Sequence, residues 1–164
     1  MHLYKYLDRL GERAPYCDTD SLLFIQGEEG PCLIECGDKL GDMTNELGEG
    51  EFIEEFVSGG PKNYAYKVRN RDLTKVPKTV CKVRGITLNY TAMQLVNFDV
   101  IRGMILKGTP ETVTVHTDKK IKRKRADGTA CVALVSEPED KIYRLSLFKR
   151  RRLLNNTSLP FGYI

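Results

Sequence analysis

Tyr16-Cys17-Asp18-Thr19-Asp20-Ser21 sets two carboxylates, one residue apart, between two apolar runs: Ala14 to Cys17 before them and Leu22-Leu23-Phe24-Ile25 after them. Short apolar runs flanking an Asp-Thr-Asp turn predict a β-hairpin with arms over 14–17 and 21–25. On an extended or tightly turned chain, residues i and i+2 face the same way, so Asp18 and Asp20 are expected to share a face. Two carboxylates on one face repel, and a divalent cation removes the repulsion. Mg²⁺ suits the role, because it is hard, prefers oxygen ligands and keeps substrate phosphates in its shell. A solvated Asp turn is the plainer alternative. The apolar flanks weigh against it, since they would hold an acidic tip rigid at a cost that a bound cation offsets.

Around this segment the pattern alternates between helix and strand. Leu3, Leu7 and Leu10 recur at helical spacing with Tyr6 beside them, which predicts an amphipathic helix over 2–11. The helix begins with little room for a cap, which leads us to expect that the natural element starts further upstream. Residues 26–31 read as a loop, 38–47 as a short helix, and 51–57 and 62–69 as strands joined across Ser58-Gly59-Gly60-Pro61. A further strand is expected over 79–88, and one or two helices over 89–107. Strands then follow over 111–117, 119–125, 129–135 and 141–148, with Ala126-Asp127-Gly128 as a hairpin turn. From Asn155 onward an irregular tail is expected. The fold class is therefore α+β.

Charge is divided unevenly along the 164 residues. The formal net charge is only +4, but residues 1–60 are acidic on balance and residues 61–152 carry most of the Lys and Arg. That asymmetry points to a polyanion-binding surface in the second part. Lys119-Lys120-Ile121-Lys122-Arg123-Lys124-Arg125 is one candidate for phosphate contact and Lys149-Arg150-Arg151-Arg152 another. A solvated charged strand or a nuclear-import signal is the alternative for both. The five Cys, an odd number with no signal peptide and no apolar run of membrane length, predict free thiols in an intracellular protein, nuclear or cytoplasmic, with no membrane partner. Cys32-x3-Cys36 lacks a second ligand pair nearby for zinc. His2 and His116 have no catalytic partner in view, and neither a Walker A loop nor a dinucleotide-binding glycine pattern occurs.

Pro61-Lys62-Asn63-Tyr64 is the second motif. On a strand Lys62 and Tyr64 would project from one face, where a cation and a phenol suit a DNA backbone: Lys62 on phosphate, Tyr64 on sugar. Taken alone, the same residues also fit an ordinary strand with Tyr64, Tyr66 and Val68 in the core.

Y-x-D-T-D-S followed by apolar residues resembles the metal-binding palm motif of family B DNA polymerases, and Lys62-x-Tyr64 downstream resembles the family's K-x-Y motif. The stretch from Glu54 to Tyr66 is similar to the protein-primed subgroup, which includes the polymerases of Polinton (Maverick) transposons, adenoviruses and linear plasmids. Lys82 to Asn89 and the ending Leu159-Pro160-Phe161-Gly162-Tyr163 resemble the Polinton type less closely. The resemblance implies a partial palm over 1–88, a β-hairpin and antiparallel sheet with packed helices, followed over 89–164 by a thumb-like α+β region and a tail. It implies that Asp18 and Asp20 hold catalytic Mg²⁺, that Thr19 lies at the nucleotide, and that Lys62 and Tyr64 contact the primer terminus. Lys122, Arg123, Lys124 and Arg125 would then track the duplex. The implied partners are primer-template DNA, a deoxynucleoside triphosphate in the intact enzyme, and a terminal-protein primer.

The family's other palm segment, D-x-x-S-L-Y-P, and its fingers helix, K-x3-N-S-x-Y-G, do not occur here, nor does a proofreading exonuclease domain. Without a main carboxylate ligand and the triphosphate-binding helix, stabilisation of the transition state by metal should fail. The chain by itself is therefore expected to be inactive. Two alternatives stand beside a partial polymerase: a non-catalytic DNA-binding remnant, and a D-x-D metal site on a nucleotide-sugar enzyme. The K-x-Y strand and the basic second half weigh against the latter.

Overall fold

A computed structural model of the chain describes residues 2–27, 30–125, 132–145, 150–155 and 158–160. The protein is α+β, with antiparallel strand pairs and three α-helices among the described residues. It divides into two compact units, Met1–Glu51 and Phe52–Ile164.

The first unit opens with helix α1, His2–Leu10. Leu3, Tyr6 and Leu7 are half-buried and Leu10 is buried, whereas Tyr4, Lys5, Asp8 and Arg9 are exposed. That i, i+3, i+4, i+7 stripe is the face an amphipathic helix hides. Gly11, at φ +54, ends the helix in the left-handed region open to glycine. A single 3₁₀ turn, Gly11–Arg13, leads to strands β1, Tyr16–Asp18, and β2, Ser21–Leu23. These pair antiparallel with Tyr16 opposite Leu23 and Asp18 opposite Ser21. The Ile25 N–H donates to the Arg13 carbonyl at 2.8 Å, which ties the outgoing arm back to the 3₁₀ turn. The helix expected over 38–47 does not form. Gly41 sits at φ +96, and the Lys39 N–H donates to the Asp42 carboxylate at 3.0 Å while the Asp42 N–H donates to the Lys39 carbonyl. Local Asp turn chemistry wins over a weak helical pattern.

The second unit is built on a three-stranded sheet in the order β3 (Glu51–Gly60), β4 (Asn63–Asn70), β5 (Lys78–Lys82). The turn between β3 and β4 is Pro61-Lys62, so Gly59 and Gly60 belong to the strand and not to the turn expected there. The strand expected over 79–88 stops at Lys82. Two helices follow, α2 (Tyr90–Leu95) and α3 (Phe98–Lys107), each opened by an asparagine. The Asn89 side chain accepts from the Ala92 N–H at 2.8 Å and Asn97 from the Val100 N–H at 3.1 Å, satisfying N–H groups that a helix start leaves unpaired. Gly108, at φ +70, closes α3. Phe98, Ile101 and Met104 line the buried side of α3 and meet Val57, Ala65, Ala92, Val96, Val115 and Tyr143 in one core. Because α2 and α3 pack against this sheet and the strand that follows, the boundary expected after residue 88 falls inside a single unit.

The four strands expected after residue 111 are two long ones. Strand β6, Val113–Arg125, pairs antiparallel with β7, Val132–Tyr143, and a register shift between Thr117 and Lys120 marks a bulge. Pro138 sits inside β7, which a two-stranded ribbon tolerates because each strand has an open edge. The expected turn over 126–128 and the start of the 129–135 strand lie outside the described residues. The tail is not wholly irregular: β8, Arg150–Arg152, pairs with β9, Ser158–Pro160.

Ile101 is fully buried in α3, whereas Asn97 only caps it. Ile101→Ala should therefore lower unfolding stability by about 2–5 kcal/mol. Asn97→Ala should lower it by about 1 kcal/mol. Urea unfolding followed by circular dichroism separates the two; equal effects would contradict this account of the core.

Candidate functional site

Asp18 is the last residue of β1, and Thr19 and Asp20 make a two-residue turn. Thr19 has φ +50, so strand alternation stops at Asp18. Strand parity therefore does not place Asp20 on the face of Asp18; the turn sets where it stands. The Asp20 N–H donates to the Asp18 carbonyl at 2.6 Å, and the Ser21 hydroxyl donates to the same carbonyl at 3.1 Å. The Thr19 hydroxyl donates to Asp18 Oδ1, also at 3.1 Å. Asp18 is half-buried, and Thr19 and Asp20 are exposed. The donors at this tip are hard oxygens, which fits Mg²⁺. Two carboxylates make only part of a coordination shell, and among the described residues no group of three or more His, Cys, Asp or Glu is placed to hold a metal ion. Cys17, Cys32, Cys36 and Cys81 are free thiols.

Lys62 and Tyr64 belong to the second unit. Lys62 is the second residue of the β3–β4 turn, exposed, with φ +56, so the strand carrying Tyr64 begins one residue after it. Among the described residues, Thr19 and Lys62 are the non-glycine residues with positive φ. Tyr64 is half-buried against Phe56, with ring centroids 5.9 Å apart, and stacks on Tyr66 at 6.2 Å and 13°. Of the three residues expected in the core Val68 is buried and Tyr64 and Tyr66 are half-buried, while on the other side of β4 Ala65 is fully buried.

Asn63, between those two residues, carries no obvious signal in the sequence. Among the described residues it is the buried polar one, and its Oδ1 accepts from the Tyr143 hydroxyl at 2.9 Å across 80 residues of chain. Burial pushes the Tyr143 hydroxyl up to about 12, with the bond to Asn63 acting in the other direction. That bond joins the residue next to the Lys62 turn to the root of the β6–β7 ribbon.

The ribbon divides the basic run between its two faces. Directly opposed residues point the same way, so Lys120, Lys122 and Lys124 share a face with Val135, Glu137 and Glu139. Lys122 pairs with Glu139 at 3.4 Å, Lys141 pairs with the same carboxylate at 3.4 Å, and Lys124 pairs with Glu137. Arg123 and Arg125 take the other face, with exposed Ile121, Val132 and Leu134. Among the described residues these two arginines make no ion pair. At the root of that face, His116 is gripped on both ring nitrogens, by Asp140 at Nδ1 and by Asp118, in the bulge, at Nε2 and 3.0 Å. Hydrogen bonding to Asp140, then the charge of Asp140, raises the His116 pKa above the ordinary imidazole value.

No protein-family model, curated protein or solved structure matches this chain. Among the described residues, no helix is long and apolar enough to cross a membrane.

Two measurements test these contacts. Tyr143→Phe leaves the Asn63 carbonyl without its donor and should cost about 1–3 kcal/mol in urea unfolding. The His116 grip needs both ring N–H groups, so it stabilises fully below the unfolded imidazole pKa of about 6.5 and is lost as pH rises through the higher folded value. An NMR titration of His116 should give a midpoint above about 6.5 that falls in Asp140→Asn; a midpoint indifferent to Asp140 would refute the grip.

Proposed function

We propose that this chain is the palm and thumb part of a family B DNA polymerase of the protein-primed kind, with Asp18 and Asp20 as ligands of its catalytic Mg²⁺. The observation that carries the reading is the hairpin tip. Y-x-D-T-D-S forms a β-hairpin in which Asp18 ends the first strand and the two-residue turn is a left-handed Thr19 followed by Asp20. Magnesium ions bound there would neutralise charge on the attacking and leaving oxygens of nucleotidyl transfer. Asp18 and Asp20 would bind them, Thr19 would lie at the incoming nucleotide, and the Lys62 turn with Tyr64 would meet the primer strand. The sheet β3–β5 and its helices would belong to the palm, and the β6–β7 ribbon to the thumb.

A second reading is favoured by the ribbon itself: a DNA-binding module without catalysis. Lys122 and Lys124 are largely neutralised by Glu139 and Glu137, so duplex contact would fall to Arg123, Arg125 and the apolar side chains between them. A two-stranded ribbon is of a size that DNA grooves admit.

The two readings separate on metal. Titration with paramagnetic Mn²⁺ should broaden the amide signals of residues 18–21 first, and Asp18→Asn with Asp20→Asn should abolish that selectivity. Broadening spread evenly over the acidic first unit would sink the polymerase reading. Because the second carboxylate segment and the fingers helix are not in the sequence, the purified chain should not extend a primer in Mg²⁺ and deoxynucleoside triphosphates. Steady extension would overturn that.

A further inference from the structure

In the second unit a cleft of about 560 Å³ opens between the end of β3, the turn after β5 and the last residues of β7. Its size is within the range of small-ligand sites. Asn63 and Tyr143, joined by their buried hydrogen bond, belong to its lining. One wall is Gly59-Gly60-Pro61, where the two glycines present only backbone. Another part of the lining is the turn Val83–Ile86, closed by the Ile86 N–H to the Val83 carbonyl at 3.3 Å, with Gly85 at φ +79. Lys141 Nζ donates to the Gly85 carbonyl, so this turn is tied to β7.

The cleft is lined by three cations, Arg84, Lys141 and Arg144, and one carboxylate, Asp140. Two of those four charges are already committed. Asp140 grips His116, and Lys141 serves the Gly85 carbonyl and Glu139. Arg84 and Arg144 make no ion pair among the described residues, so the uncommitted charge of the cleft is two guanidinium groups. A guanidinium is the side chain that matches phosphate oxygens two at a time. The glycine wall leads through Pro61 directly into Lys62, so an extended polyanion seated in the cleft would continue past a further cation.

We propose that this cleft is a binding site for the phosphodiester backbone of DNA, with Arg84 and Arg144 as its phosphate ligands and the Asn63–Tyr143 pair holding its lining in place. This rests on the DNA-binding reading above and extends it to residues that neither the K-x-Y motif nor the basic run includes. Sugars of the bound strand would pack on Ile86 and Ile142, which also line the cleft.

The test uses the full chain and a labelled DNA duplex with a single-stranded overhang, with fluorescence anisotropy followed across a salt series. Removing two phosphate contacts in Arg84→Ala with Arg144→Ala should reduce the slope of log affinity against log salt by about 2, which is about 50-fold weaker binding near 0.1 M salt. Arg84→Lys with Arg144→Lys keeps the charge and should retain most of the slope. Arg71→Ala with Lys75→Ala removes the same charge from the exposed loop before β5 and should leave the slope nearly unchanged. Circular dichroism checks that each variant is folded. If the unaltered chain shows no salt-dependent binding, the DNA-binding reading fails and this site with it. If the unaltered chain binds and the double arginine variant matches the loop control, the site is wrong while the reading stands.

Discussion

The hydrogen bond between the Tyr143 hydroxyl and Asn63 is the contact on which the second unit's geometry depends. It is the point where three pieces of chain, far apart in sequence, must agree: the start of β4, the root of the β6–β7 ribbon and the helical core beneath them. A buried hydrogen bond contributes only about 0.5–1.5 kcal/mol net. Its weight lies in the asymmetry, because either partner left alone in the core would carry the full cost of desolvation. Apolar packing around Ile101 and Phe98 fixes how tightly the ribbon root sits, but packing is tolerant of small slides. A donor and an acceptor at 2.9 Å are not, so this pair sets where the ribbon and the Lys62 turn stand with respect to each other.

A second constraint is electrostatic and runs across the sheet into α3. Glu55 accepts from Arg102 at 2.5 Å and pairs with Lys67 at 3.6 Å, while the Lys67 ammonium lies 4.4 Å from the centre of the Phe98 ring. The Arg102 hydrogen bond is the main reason the Glu55 carboxyl titrates below its ordinary range. These groups are partly exposed, so their value to stability is modest. What they add is direction, since opposite charges on β3, β4 and α3 favour one placement of the helix over its neighbours. The ribbon follows the same logic with a different result. By pairing Lys122 and Lys124 with Glu139 and Glu137, it leaves an arginine face and a neutralised face on one two-stranded element. Net charge along the sequence could not reveal that division, because it arises from register.

The parts of the fold that were legible in the sequence are those with local causes. Helix α1 follows from Leu3, Tyr6, Leu7 and Leu10, and helix after residue 89 follows from apolar spacing, although its division in two at the Asn97 cap was not read. The Asp18-Thr19-Asp20 hairpin follows from its apolar arms. What could not be read are features fixed by distant pairing. The bulge at residues 118–119 and Pro138 each look like breaks, yet cross-strand bonds carry β6 and β7 through them. The Pro61-Lys62 turn was displaced by two glycines that look like turn residues. At Gly59 a Cβ would lie 2.4 Å from a Leu145 methyl and 2.8 Å from the Asn63 amide nitrogen, so a side chain there would make its neighbours shift. Asn63 and Tyr143, 80 residues apart, are the extreme case.

The two motifs that drew attention in the sequence share a backbone property that neither composition nor spacing contains. Thr19 at φ +50 and Lys62 at φ +56 occupy the left-handed region, where glycine or asparagine is the cheaper occupant. Such a residue stores about 1–3 kcal/mol of strain and persists only where its surroundings over-determine it. At the hairpin tip those surroundings are the Thr19 hydroxyl on Asp18 and the two donors on the Asp18 carbonyl. For β-branched threonine the cost is at the high end, and a glycine would make the same turn without it. The turn therefore keeps a side chain where stability alone would discard one. Lys62 repeats the pattern: Pro61 fixes the turn's first residue, and the second position, suited to glycine, holds an exposed lysine. Each unit thus keeps a side chain at a strained turn position that glycine would fill more cheaply, Thr19 between two aspartates and Lys62 after a proline.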